Sequence, residues 1–169
     1  MAASNILAIA CFSEGRQVQA FPSFGVERRG APVEAYTRID QDKIIIRTNV
    51  YTPDHVVVLD LSLIADEAVT RGLKPGGTLV LNTDHPPPAF HGFGPFSVCT
   101  VDANRIARQH HLGTSNSPIV NTAILGAFAR ASGIVSLDSV CAAIRQEVTS
   151  HCEANVVAAR EAYQNAVFP

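Results

Sequence analysis

Two adjacent arginines held among glycines and prolines are the residues of this chain best suited to chemistry with an anion. They lie in the run Phe21-Pro-Ser-Phe-Gly-Val-Glu-Arg-Arg-Gly-Ala-Pro32. A guanidinium presents a planar fork of donors that matches phosphate or carboxylate. Glycine lets backbone N–H groups approach such a group closely. Arg28, Arg29 and Gly30 are therefore candidate contacts with an anionic ligand or a partner surface. The competing reading is a solvated turn whose arginines pair with Glu27, and composition alone favours it.

Other reactive residue types do not assemble into a known pattern. Serine, histidine and aspartate are present without a nucleophile-elbow sequence. Asp84, His85 and His91 share a proline-rich loop that lacks a paired-ligand motif, and His110 and His111 are adjacent on an expected helix, where neighbours diverge. Both sets read as surface histidines. Cys11, Cys99, Cys141 and Cys152 match neither zinc nor iron–sulfur spacing. They read as buried or idle thiols of a reducing cytosol. No metal site is expected.

Composition places the chain among ordinary globular proteins. Of its 169 residues, 47% are hydrophobic and 17% charged, and the formal net charge is −2. One domain, residues 1–169, is expected. No basic run points to nucleic acid, and no apolar run approaches the roughly 20 residues that span a bilayer. The start, MAASNILAIACF, lacks a basic region and a cleavage site, so a cytoplasmic location is expected.

These residues must be positioned by an α/β fold. Residues 3–14 read as a helix closed by Gly15, and 18–21 as a short strand. The alternation of Val33, Ala35, Thr37 and Ile39 marks a strand that DQD (40–42) turns into a partner at 43–47. HVVVLD (55–60) is a strand covered on both faces. A helix over 62–72, capped by Ser62 and ended by Gly72, leads through LKPGG to the strand TLVLN (78–82). Strand, helix, strand is a right-handed crossover of a parallel sheet. The crossover's first turn, DLSL, has no G-x-G-x-x-G, so the likeness to half a nucleotide-binding fold does not carry nucleotide binding with it. The prolines of 84–95 are expected to stay out of helices and central strands. A strand at 96–102 and a helix at 103–113 follow. A second helix starts at Ser117 and Pro118, ends at Gly133, and faces the core with Ile119, Val120, Ala123, Ile124, Ala127, Phe128 and Ala131. Helices opened by Ser136 and spanning 151–168 complete a Rossmann-like, three-layer α/β/α fold with a mixed, largely parallel sheet.

Several of these segments together resemble one family. FPSFGVERRGAPVEAYTRI (21–39) is similar to the signature of the gamma subunit of 2-oxoacid:ferredoxin oxidoreductases, and SPIVNTAILGAFARASGIVSLDSV (117–140) to its second block. EANVVAAREAY (153–163), PDHVVVLD and LKPGGTLVLN also match in place. The ERRGAP run resembles the pyruvate and branched-chain 2-oxoacid (2-oxoisovalerate) members rather than the 2-oxoglutarate ones. Family members usually begin with a strand and a Gly-Gly-Gln-Gly turn before the first helix, whereas this chain opens at the helix. A sheet short of one strand, with an exposed edge, is the resulting expectation.

The resemblance implies CoA-dependent oxidative decarboxylation of pyruvate to acetyl-CoA with electrons passed to ferredoxin. It implies alpha, beta and delta partner subunits. Thiamine diphosphate and iron–sulfur clusters are implied in those other subunits, and none is bound by this chain alone. It implies a helper role for this chain, in assembly or in admitting coenzyme A, without catalysis of its own. Arg28, Arg29, Gly30 and Asn121 are the residues expected to touch coenzyme A or a partner subunit. A scaffold that touches no ligand and an autonomous nucleotide-binding protein are the rival expectations.

Overall fold

The computed structural model describes residues 1–23, 33–65 and 69–169. Helix α1 (Ala2–Ser13) buries Ile6, Leu7, Ala10 and Cys11, the face its spacing marks. Gly15, at φ +85°, reverses the chain in a conformation that a side chain disfavours. Its N–H donates to Phe12 O at 2.9 Å and that of Arg16 to Cys11 O at 3.2 Å, closing the last carbonyls of the helix.

Strands β1 (Gln17–Pro22) and β2 (Ala35–Asp40) pair antiparallel, with Val18 opposite Ile39 and Phe21 opposite Tyr36. Opposed residues share a face. Val18 and Ile39 pack on the core beside α1, and Thr37 Oγ1 donates to Ser4 O at 3.3 Å. Gln19, Phe21, Tyr36 and Arg38 take the other face, where the Arg38 guanidinium lies 5.1 Å from the Phe21 ring centroid. The strand expected at 43–47 does not form. The partner of β2 is β1, and Arg38 donates to the carbonyls of Ile46, Thr48 and Asn49, tying that stretch to the hairpin without a ladder.

The larger sheet is parallel, in the order β3 (His55–Val58), β4 (Thr78–Asn82), β5 (Ser97–Val101). All five residues of β4 are buried. Leu79 and Leu81 enter one apolar cluster with Val58, Ile64, Leu73, Phe90 and Val98. Val80 points the opposite way, into a much larger cluster with Cys99, Val101 and the helices. That second layer holds α2 (Ala103–Gln109), α3 (Ala123–Ser132), α4 (Leu137–Glu147) and α5 (Cys152–Asn165). The opposite face is covered by two 3-10 helices, Leu61–Ala65 and Pro87–Phe93. The α/β/α layering expected from the sequence is present, and the antiparallel pair stands as a sheet of its own.

Four boundaries differ from the sequence expectation. Among the described residues of the helix expected at 62–72 a 3-10 turn spans Leu61–Ala65, and it is Asp60, not Ser62, that caps it by accepting from Ser62 N–H at 2.9 Å. The prolines of 86–88 do join a helix: Pro86 stands at the N-cap and Pro87 starts a 3-10 segment, where a missing N–H costs nothing. Helix α3 starts at Ala123 rather than beside Pro118, because Gly113 and Pro118 form an isolated bridge and Ile119 N–H donates to Leu112 O at 3.0 Å. Ile119 is consequently exposed instead of facing the core. Finally, α5 stops at Asn165, and Val167 exchanges hydrogen bonds with Thr100 at the edge of β5.

Candidate functional site

Asn121 sits between the Gly113–Pro118 turn and the first residue of α3. Its neighbours are fixed on both sides. Thr122 Oγ1 donates to Asn155 Oδ1 at 2.6 Å, and Asn155 Nδ2 donates to His151 O at 2.9 Å. Val120 O accepts from Ile124 N–H at 3.0 Å. Held this way, Asn121 keeps its side-chain Oδ1 buried without a hydrogen-bond partner among the described residues. An unmet buried acceptor costs about 1–3 kcal/mol, which a bound donor recovers. Arg28, Arg29 and Gly30 lie outside the described residues.

In folds of this kind ligands occupy the crevice beyond the carboxyl ends of parallel strands. Here Asn82, the last residue of β4, and Asp102, just past β5, bond within the chain. Asn82 Nδ2 donates to Leu59 O at 2.8 Å, and its Oδ1 accepts from Ala103 N–H at 2.9 Å. Asp102 accepts from Arg105 N–H at 2.8 Å. The N–H groups of Ala103 and Arg105, in the first turn of α2, are thus committed to the chain's own side chains.

His55 is a group that the sequence reading passed over. Its Nδ1 is buried without a partner, and its ring meets Phe128 edge-on at 5.6 Å and 84°. Burial holds its pKa below the ordinary value, with the Asp54 carboxylate opposing. It borders a cavity of about 370 Å³ with Lys74, Gly76, Gly77 and Thr78. A second cavity of about 470 Å³ is bordered by Glu14, Arg16, Arg130 and Tyr163. There Glu14 accepts from Ser136 N–H at 2.9 Å, a bond that lowers its pKa, and so closes the entrance of α4.

The histidines divide. His110 is no simple surface residue, since its Nε2 lies 2.7 Å from Glu161 Oε2, tying α2 to α5 in a half-buried contact. His85 and Asp84 are exposed at 4.0 Å from each other. Among the described residues no three histidine, cysteine, aspartate or glutamate side chains converge. Cys11, Cys99 and Cys141 are buried in the large apolar cluster. Burial pushes the thiols of Cys11 and Cys99 up to about 11, the wrong direction for ligands that must be thiolates. These residues do not fit an iron–sulfur cluster.

The parallel sheet with helices on both faces defines a Rossmann-like, three-layer α/β/α fold. Residues 1–165 match the family described as pyruvate ferredoxin/flavodoxin oxidoreductase. The chain belongs to that family. It is 49% identical over 166 residues to the pyruvate/ketoisovalerate oxidoreductases common subunit gamma of Pyrococcus abyssi, covering 96% of this chain and 88% of that one. It is 48% identical over 163 residues to the pyruvate synthase subunit PorC of Methanothermobacter thermautotrophicus, covering 96% and 86%. The crystal structure of pyruvate oxidoreductase subunit PORC from Thermotoga maritima superposes with a TM-score of 0.81 at 34% identity, covering 98% of this chain and 88% of that one.

Proposed function

We propose that this chain is the gamma-type subunit of a pyruvate:ferredoxin oxidoreductase, acting as one domain in the cytoplasm with alpha, beta and delta subunits. The reaction is oxidative decarboxylation of pyruvate to acetyl-CoA, with coenzyme A as acceptor of the acyl group and ferredoxin as acceptor of the electrons. The observation that carries this reading is near full-length identity of 48–49% with subunits named for pyruvate synthase and pyruvate/ketoisovalerate oxidoreductase. The name of the first relative also supports a second substrate, a branched-chain 2-oxoacid, for the same subunit. Among the described residues no helix is long and apolar enough to cross a membrane.

Thiamine diphosphate and iron–sulfur clusters, held by the other subunits, supply the decarboxylation and the electron path. This chain's part is to help the assembly form and to admit coenzyme A. Arg28 and Arg29, with Gly30 beside them, are suited to an anionic group. Asn121 presents an acceptor, which suits an amide or hydroxyl donor such as those along a pantetheine arm.

The test is reconstitution of the assembly with wild-type, Arg28→Ala, Arg29→Ala and Asn121→Ala chains, reading the coenzyme A KM and subunit retention together. Losing one charge-assisted contact of about 1.5–3 kcal/mol raises the KM roughly ten- to a hundredfold. Losing the neutral Asn121 contact, about 0.5–1.5 kcal/mol, raises it roughly two- to tenfold. Loss of retention at unchanged KM assigns these residues to a partner contact. Normal assembly with unchanged coenzyme A dependence removes them from the site, and full activity without this chain refutes the subunit reading.

A further inference from the structure

We infer that Thr122 and Asn155 are the positioning residues of the contact at Asn121: one buried hydrogen bond between them sets where the Asn121 amide stands when coenzyme A binds. The inference rests on the reading of Asn121 as a coenzyme A contact and adds the pair that aims it.

Thr122 is the N-cap of α3, a place where a threonine hydroxyl ordinarily accepts from an N–H of its own first turn. Here it makes no such bond and instead donates across to Asn155 Oδ1 of α5 at 2.6 Å. Asn155 is equally committed. Its Nδ2 donates to His151 O at 2.9 Å and to Ser150 O at 3.4 Å, so both its donors are in use. With the amide nitrogen turned to those carbonyls the oxygen faces Thr122, and the bond between the two has one consistent direction. The entrance of α5 also lacks a side-chain cap, and its N-cap His151 is held at φ +52°, a region that a non-glycine residue seldom takes. Two helix entrances thus forgo local capping and are closed against each other.

Apolar packing alone would hold α3 to α5, since Gly126 already brings the two backbones close at Ala159. Packing is non-directional, whereas a hydrogen bond is short and angular. The pair therefore adds direction at the start of α3. Thr122 is 1% and Asn155 5% exposed, so the bond is shielded from competing water. Asn121 directly precedes Thr122, and on its other side the turn is anchored by Ile119 N–H donating to Leu112 O at 3.0 Å. Its backbone is pinned from both sides before any ligand arrives, which lowers the ordering cost of binding. Of the two anchors, only the Thr122 bond is made by side chains, so it is the one that substitution removes cleanly.

The experiment uses the reconstituted oxidoreductase with coenzyme A as the probe. Thr122→Val, which exchanges the hydroxyl for a methyl group, is expected to raise the coenzyme A KM roughly two- to tenfold, with kcat at saturating coenzyme A unchanged. Thr122→Ser, which keeps the donor, is expected to restore the wild-type KM. The deciding arm is a double-mutant cycle: in an Asn121→Ala chain, Thr122→Val is expected to add nothing further to the KM, because it acts only through Asn121. Should the valine chain not be retained, the same cycle is run with Thr122→Cys, whose weak S–H donor keeps the shape and weakens the bond. A KM raised by Asn121→Ala but untouched at Thr122 overturns this inference and leaves the coenzyme A reading of Asn121 standing. A KM raised equally with and without the Asn121 side chain also overturns it, since the hydroxyl then acts on the fold at large. An unchanged KM in Asn121→Ala itself removes Asn121 from the site and takes this inference with it.

Discussion

His55 opens β3 with an imidazole that has no hydrogen-bond partner at Nδ1 and an aromatic edge contact to Phe128. Burial disfavours its charged form, and the facing charges of Asp54 and Lys74 act in opposite directions on it. Because the folded pKa lies below the usual value near 6.5, the unfolded chain takes up the proton first as pH falls. Stability from this group is therefore complete above about pH 6.5 and is lost as pH falls through the folded value. The urea midpoint is expected to drop more between pH 7.5 and 5.5 for wild type than for His55→Leu, and equal drops in the two proteins would sink the idea. Nothing local marks His55 as special. Its edge contact is to Phe128, a residue of α3 far along the chain, so the sequence displays only a histidine at the head of an apolar run. Asn121 is the reverse case. It lies within a block of family resemblance, and its side-chain oxygen is buried without a partner among the described residues. For Arg28 and Arg29 the sequence supplies residue types and punctuation, and their chemistry stays a matter for the reconstitution test.

Elements defined by strong local signals were legible, and those defined by distant partners were not. The apolar runs at 55–60, 78–82 and 96–102 became β3, β4 and β5, because a strand covered on both faces must be apolar throughout. Ser136 capped α4 as expected, accepting from Ser139 N–H at 3.1 Å. The run at 43–47 has the composition of a strand but lacks an edge to join. Pro118 carries the signal of a helix start but is drawn into a bridge with Gly113. Gly126 reads from sequence only as part of a helical pattern, yet it lets α3 approach the backbone of α5 closely. A Cβ built there would stand 1.8 Å from Ala159 O, a backbone atom of α5 that cannot rotate away. Gly126→Ala therefore gains helix propensity of about 1 kcal/mol and loses it to the separation of α3 from α5. Overpacking of this kind costs about 1–3 kcal/mol, and a rigid backbone neighbour places this site at the upper end or beyond. A melting temperature lowered by several degrees is expected for Gly126→Ala, and an unchanged or raised one would show that α5 can move aside.

At the scale of the whole molecule the parallel sheet divides two unequal halves. On one side α1, α3, α4 and α5 bury Ile6, Val80, Ile106, Ile124, Val140, Ile144 and Val156 in a continuous apolar body. On the other, Leu79, Leu81 and Val98 are covered only by Ile64, Leu73 and Phe90, carried on 3-10 helices and turns. The sequence foretold the layers but not their inequality, because the helix expected at 62–72 supplied an outer layer, and the described residues of that stretch hold a 3-10 turn over Leu61–Ala65. Short 3-10 segments hold few hydrogen bonds of poorer geometry, so this layer has little of its own to resist opening. Opening it exposes a small apolar area, whereas opening the other side breaks the main core. The amides of Leu63, which donates to Asp60 O at 3.1 Å, and of Ala89, which donates to Pro86 O at 3.0 Å, report on the thin layer. Those of Ala127 and Phe128 in α3 report on the thick one. In native-state hydrogen exchange the first pair is expected to exchange through local opening, with protection at least roughly a hundredfold lower, equivalent to about 3 kcal/mol. Added urea should leave the first pair nearly unaffected and accelerate the second, since only global unfolding exposes much new surface. Equal protection in the two layers, with the same dependence on urea, would show that the 3-10 layer folds as one cooperative unit with the helices.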